Sequence, residues 1–110
     1  MKNLIEIKVN KMYAQPQYIV SYRSNKYLYP EEEVRGVTMQ PGIPTRDEVI
    51  STIIMDMYPF DKMQAVQNNY LLNPNDEEAV AEMNAMQEWR AYAKEIADEF
   101  MEYLNENNNN

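Results

Sequence analysis

PGIPTRDEVISTIIMDMYP, residues 41–59, is where the chain changes its hydrophobic period, and that change decides the fold. Pro41-Gly42-Ile43-Pro44 ends the preceding β pattern, since proline has no N–H to give a strand or helix. Thr45-Arg46-Asp47-Glu48 then reads as a capping box: the threonine hydroxyl accepts from the Glu48 amide while the Glu48 carboxylate reaches back to the Thr45 N–H. Val49, Ile50, Ile53, Ile54 and Met57 follow as an apolar stripe at helical spacing, and Pro59 closes the segment. One amphipathic helix is predicted here.

Toward the N-terminus the period is two. Leu4–Asn10 sets Ile5, Ile7 and Val9 on one face and Glu6, Lys8 and Asn10 on the other, as a half-buried strand requires. Ala14-Gln15-Pro16 interrupts it, and Gln17–Arg23, rich in β-branched and aromatic residues, gives a second strand. Ser24-Asn25 is a candidate turn into a third strand, Lys26–Tyr29, which would set Tyr22 opposite Tyr27. It would also oppose Arg23 and Lys26, so a longer loop is the alternative. Val34–Met39 adds a short edge strand after Glu31-Glu32-Glu33.

Toward the C-terminus, Met63, Val66 and Tyr70 mark a short helix from about Asp61 to Leu71. Asn73-Pro74-Asn75-Asp76 reads as a new start, with Asn73 as the cap and Pro74 at the first helical position. Met86, Trp89, Ala93, Ile96, Phe100 and Tyr103 then recur at alternating steps of three and four, predicting a long helix to about Leu104. The expectation is one α+β domain over residues 1–104. A small antiparallel sheet of two to four strands (1–44) precedes two short helices and a long amphipathic one (45–104), and the Asn-rich stretch 105–110 frays.

A chain of 110 residues with 45% hydrophobic content is long enough for one core and too apolar to be disordered. Its net charge of −8 is unevenly spread. Residues 1–30 carry Lys2, Lys8, Lys11, Arg23 and Lys26 against Glu6, whereas Asp76 to Glu106 holds ten acids against Arg90 and Lys94. That balance argues against direct binding to nucleic acid or an anionic membrane. MKNLIEIKVN lacks the apolar core of a signal peptide, no run is long enough to span a bilayer, and there is no cysteine. A cytoplasmic or virion-associated location is expected.

The chemistry is bounded by what is missing. Without His or Cys, the usual zinc, copper and haem ligand sets and the His-based triads are excluded, and two glycines do not make a phosphate loop. Paired carboxylates alone suffice for some reactions, but Asn73–Glu78 has a proline and no glycine where a calcium loop needs one. No enzyme activity, cofactor or metal is expected. Tyr13, Tyr18, Tyr22, Tyr27 and Tyr29, interleaved with Lys11, Arg23 and Lys26, admit a base-stacking platform, though tyrosine is also a favoured strand residue.

Two features of the long helix point to a protein partner or a homodimer. The seam Met86, Trp89, Ile96, Phe100 and Tyr103 is a candidate interface, with packing on the chain's own sheet and first helix as the alternative. Glu95, Asp98, Glu99, Glu102 and Glu106 form an acidic face near a helix end whose dipole favours cations, a candidate surface for a basic partner or simply a solvated one.

From Thr45 onward the chain resembles small phage- and prophage-encoded proteins of uncharacterised function found near tail-fibre genes. The resemblance rests on Thr45-Arg46-Asp47-Glu48-Val49-Ile50 leading to Tyr58, on Gln67-Asn68-Asn69-Tyr70, and on Glu88-Trp89-Arg90 with Lys94 and Ala97. It implies a structural or accessory role and assigns no site residue. The expected function is a non-enzymatic protein–protein interaction in a phage tail or its assembly. The alternative is an acidic inhibitor that mimics nucleic acid against a host protein.

Overall fold

The computed structural model describes residues 5–11, 14–23 and 34–108, and they form an α+β fold. Strands β1 (Ile5–Asn10), β2 (Gln17–Arg23) and β3 (Val34–Thr38) precede helices α1 (Arg46–Met57), α2 (Phe60–Leu72) and α3 (Glu77–Asn108). The sheet is antiparallel in the order β1-β2-β3. Period two sends Tyr18, Val20 and Tyr22 to one side of the central strand, and all three are buried. Ile7 and Val37 flank Val20, while Ile5 and Arg35 flank Tyr22, so the row of side chains facing the helices is set by register.

The Ser24-Asn25 turn and the Lys26–Tyr29 strand lie outside the described residues. Among the described residues, the lateral neighbours of Tyr22 are Ile5 and Arg35.

The segment between sheet and helices is tied down. Met39 N–H donates to the Tyr18 carbonyl at 2.9 Å, and Gly42 N–H donates to that of Pro16 at 2.7 Å. Gly42 has φ +112°, a conformation that L side chains rarely adopt, so glycine is required there. Thr45 caps α1 as expected, accepting from Glu48 N–H at 3.2 Å. The Glu48 carboxylate accepts a hydrogen bond from the Thr45 hydroxyl at 3.2 Å, in place of the expected bond from the Thr45 N–H.

Pro59 breaks α1 from α2 with only Tyr58 beside it, since proline cannot donate into a continuing ladder and holds Tyr58 out of helical geometry at φ −129°, ψ 81°. The start of α3 differs from the sequence expectation. Asn73 closes α2, donating to the Asn69 carbonyl, and Asp76 N–H donates to the Asn73 carbonyl at 3.1 Å across the turn containing Pro74 and Asn75. Asp76 is the cap instead, its carboxylate accepting from Ala79 N–H at 3.0 Å. With α2 running to Leu72, Asn73 is spent as its terminus, and Pro74 takes the second position of a turn, where its fixed φ also fits.

The 32 residues of α3 make a rod of about 48 Å at about 1.5 Å per residue. The helix continues through Asn108, so Asn105 to Asn108 are helical; Asn107 Nδ2 donates to the Tyr103 carbonyl at 2.8 Å.

The α3 seam lies inside this chain's own core. Met86, Trp89, Ile96 and Phe100 have no exposed surface, packed between the sheet and α1. Phe100 meets Tyr18 edge-on at 5.5 Å between ring centroids, and Trp89 lies 5.8 Å from Tyr22. The Trp89 indole N–H donates to the Ile53 carbonyl of α1 at 3.1 Å. At about 25 cal/mol per Å² and roughly 200 Å² per ring, burial of each large aromatic is worth ~5 kcal/mol, against about 1 kcal/mol for ring–ring geometry. Burial therefore dominates, and it consumes the candidate interface: of its residues only Tyr103 is half-exposed, beside Phe100.

Candidate functional site

The break at Pro59 has a geometric consequence. Where α1 ends and α2 begins at an angle, the outer side of the last α1 turns faces the first turns of α2 across an open groove of about 260 Å³. Ser51, Ile54 and Met55 form one wall, Phe60, Met63, Gln64 and Gln67 the other, and Arg90 of α3 reaches the same space. Phe60 is 59% exposed and Met55 47%. Farther along, Leu71 and Leu72 are exposed at the α2–α3 turn. Lys62 braces the junction, its ammonium 3.4 Å from the Met57 carbonyl and 4.8 Å from the centre of the Tyr58 ring. It supplies the cation that the last turn of α1 lacks.

A polar cluster lies at the other side of α1. Asp56 accepts from the Tyr22 hydroxyl at 2.5 Å and from Arg35 Nε at 2.7 Å through the same oxygen, and Arg35 also reaches the Asp56 carbonyl at 3.3 Å. Burial, and then the Asp56 carboxylate, push the Tyr22 phenol well above the usual tyrosine range. The hydrogen bond that Arg35 donates to Asp56 raises its own pKa further, so its charge is held. A phenol harder to ionise than normal, next to a carboxylate already engaged by a guanidinium, is a poor nucleophile and a poor base. The cluster anchors the sheet to α1.

The acidic face is on the surface. Glu95, Asp98, Glu102 and Glu106 are exposed and Glu99 is half-buried. Asp98 is engaged by Arg46 Nε at 2.7 Å, which pins the start of α1 to α3 and leaves a narrower acidic surface than the sequence suggests. Tyr18 and Tyr22 point into the core, so neither stacks on a ligand at the open sheet face. Among the described residues no group of three or more acids is placed to hold a metal ion, and no helix is long and apolar enough to cross a membrane.

The groove is the feature that sequence reasoning missed. Met55 falls off the stripe of Val49, Ile50, Ile53, Ile54 and Met57, and Phe60 precedes the stripe of Met63, Val66 and Tyr70; apolar residues outside an inward stripe were the available signal. No family model, curated protein or solved structure matches this chain.

Proposed function

We propose that this chain is a non-enzymatic interaction protein that docks another protein on the groove between α1 and α2. One observation carries the reading: a fold that encloses Trp89, Phe100 and Tyr22 leaves Phe60 and Met55 open on the two walls of one groove. Large apolar side chains gathered in a groove mark protein contacts more often than scattered ones do. The resemblance of residues 45–104 to phage and prophage proteins supports an accessory or structural role in tail assembly, since both walls of the groove fall within that stretch. A photo-crosslinking residue at position 60 should capture a discrete partner in the native host, while one at Lys8, on the polar face of β1, should not. Equal labelling from both positions would contradict the reading.

A second reading, an acidic inhibitor that mimics nucleic-acid phosphates, draws on the exposed carboxylates of Glu95, Glu102 and Glu106 along one end of α3. Its partner would be basic, and its affinity would fall steeply with salt, whereas apolar docking tolerates salt.

A further inference from the structure

The groove contains one charge, that of Arg90. Eighteen acids accompany ten bases, so carboxylates are plentiful. Arg35 and Arg46 each hold one, and Arg23 also has a partner. Arg90, half-buried beside Ile54, Met55, Phe60 and Met63, makes no hydrogen bond or ion pair to any described residue. An occupant that was apolar alone would strip water from this guanidinium and return nothing, which is costly for a charge. Complementarity therefore favours an anion on whatever fills the groove.

We propose that the groove recognises a helical segment of another protein that inserts an apolar side chain between Met55 and Phe60. The segment also presents an aspartate or glutamate within one helical turn, for Arg90 to bind. The planar fork of arginine suits a carboxylate, which it engages through two parallel hydrogen bonds. Phosphorylated motifs are usually met by clusters of arginine, and this groove has one. The Gln64 and Gln67 amides on the α2 wall supply neutral donors and acceptors for the segment's polar edge.

This inference rests on the docking function proposed above, and the test separates the two. A library of random amphipathic helical peptides is selected against the full chain, and enriched peptides are made with their acid and with the matching amide. Peptides carrying an apolar residue and an acid at fixed helical spacing are expected. Glu-to-Gln exchange in the peptide should weaken binding about tenfold or more. Arg90→Gln in the protein should bind the two peptides equally, Arg90→Lys should recover part of the preference, and Phe60→Ser should lose both; matched melting curves confirm that the variants fold. Peptides lost on Phe60→Ser but indifferent to their acid, or to Arg90→Gln, overturn the carboxylate preference and leave the docking groove standing. Selection that yields no groove-dependent peptide overturns both.

Discussion

The Tyr22 hydroxyl donates to the Asp56 carboxylate at 2.5 Å, joining the centre of the sheet to α1 across 34 positions of sequence. Because Arg35 engages the same oxygen, removal of the acid leaves two donors without their acceptor. Asp56→Ala should therefore cost more than Tyr22→Phe. With side chains about a quarter exposed, a loss of about 2 kcal/mol for Asp56→Ala and ~1 kcal/mol for Tyr22→Phe is expected in denaturant unfolding. Equal losses would contradict the shared-acceptor geometry.

Alkaline pH should expose the same contact. A phenol whose folded pKa lies above its unfolded value contributes stability that is complete below the unfolded pKa and is lost as pH climbs past it. For Tyr22 the decline starts near pH 10, about where an unfolded tyrosine ionises. The stability advantage of the wild type over Tyr22→Phe should shrink above that pH. An advantage that stays constant to pH 11 would show that Tyr22 ionises freely in the folded protein.

Trp89 and Phe100 are core residues, so Trp89→Ala and Phe100→Ala should each lose about 3–5 kcal/mol, more than ~10 °C in Tm. Sedimentation over a concentration series should show no accompanying change in association. Trp89→Phe should recover part of the loss, keeping the ring but not the hydrogen bond to the Ile53 carbonyl. Variants that melt normally yet shift an oligomeric equilibrium would restore the seam as an interface.

How much of this the sequence showed follows from the range of each interaction. The Thr45 cap, the alternation of β1 and the Pro59 stop are local, and each was read from a few consecutive residues. Asn and Asp both favour the cap position, so the local sequence fits Asn73 as well as Asp76, and only the length of α2 decides between them. The α3 seam was found by its spacing, but spacing does not say whether a stripe meets its own sheet or another chain. The Tyr22–Asp56–Arg35 cluster joins residues 21 and 34 positions apart and has no sequence signature. The groove depends on the angle at Tyr58-Pro59, which the proline announced without giving its direction.

The acidic end of α3 should be locally unfavourable. Glu102 and Glu106 lie in its last two turns, where exposed carbonyls favour cations, and no base is present there. Glu102→Lys and Glu106→Lys should each stabilise by about 0.3–1 kcal/mol at low salt, with the gain shrinking as salt is added. A loss of stability at low salt would mean that these carboxylates have favourable contacts in the fold.

If Met55 and Phe60 are exposed to bind a partner, they contribute little to folding. The direct measurement is the double substitution Met55→Ser with Phe60→Ser, assayed for melting and for recovery of the protein that position 60 crosslinks in the native host. Surface positions change stability by about 0.5 kcal/mol or less, so the variant should melt within ~4 °C of the wild type and fail to recover that partner. Undiminished recovery, or a fall in Tm as large as that of Phe100→Ala, would contradict the account.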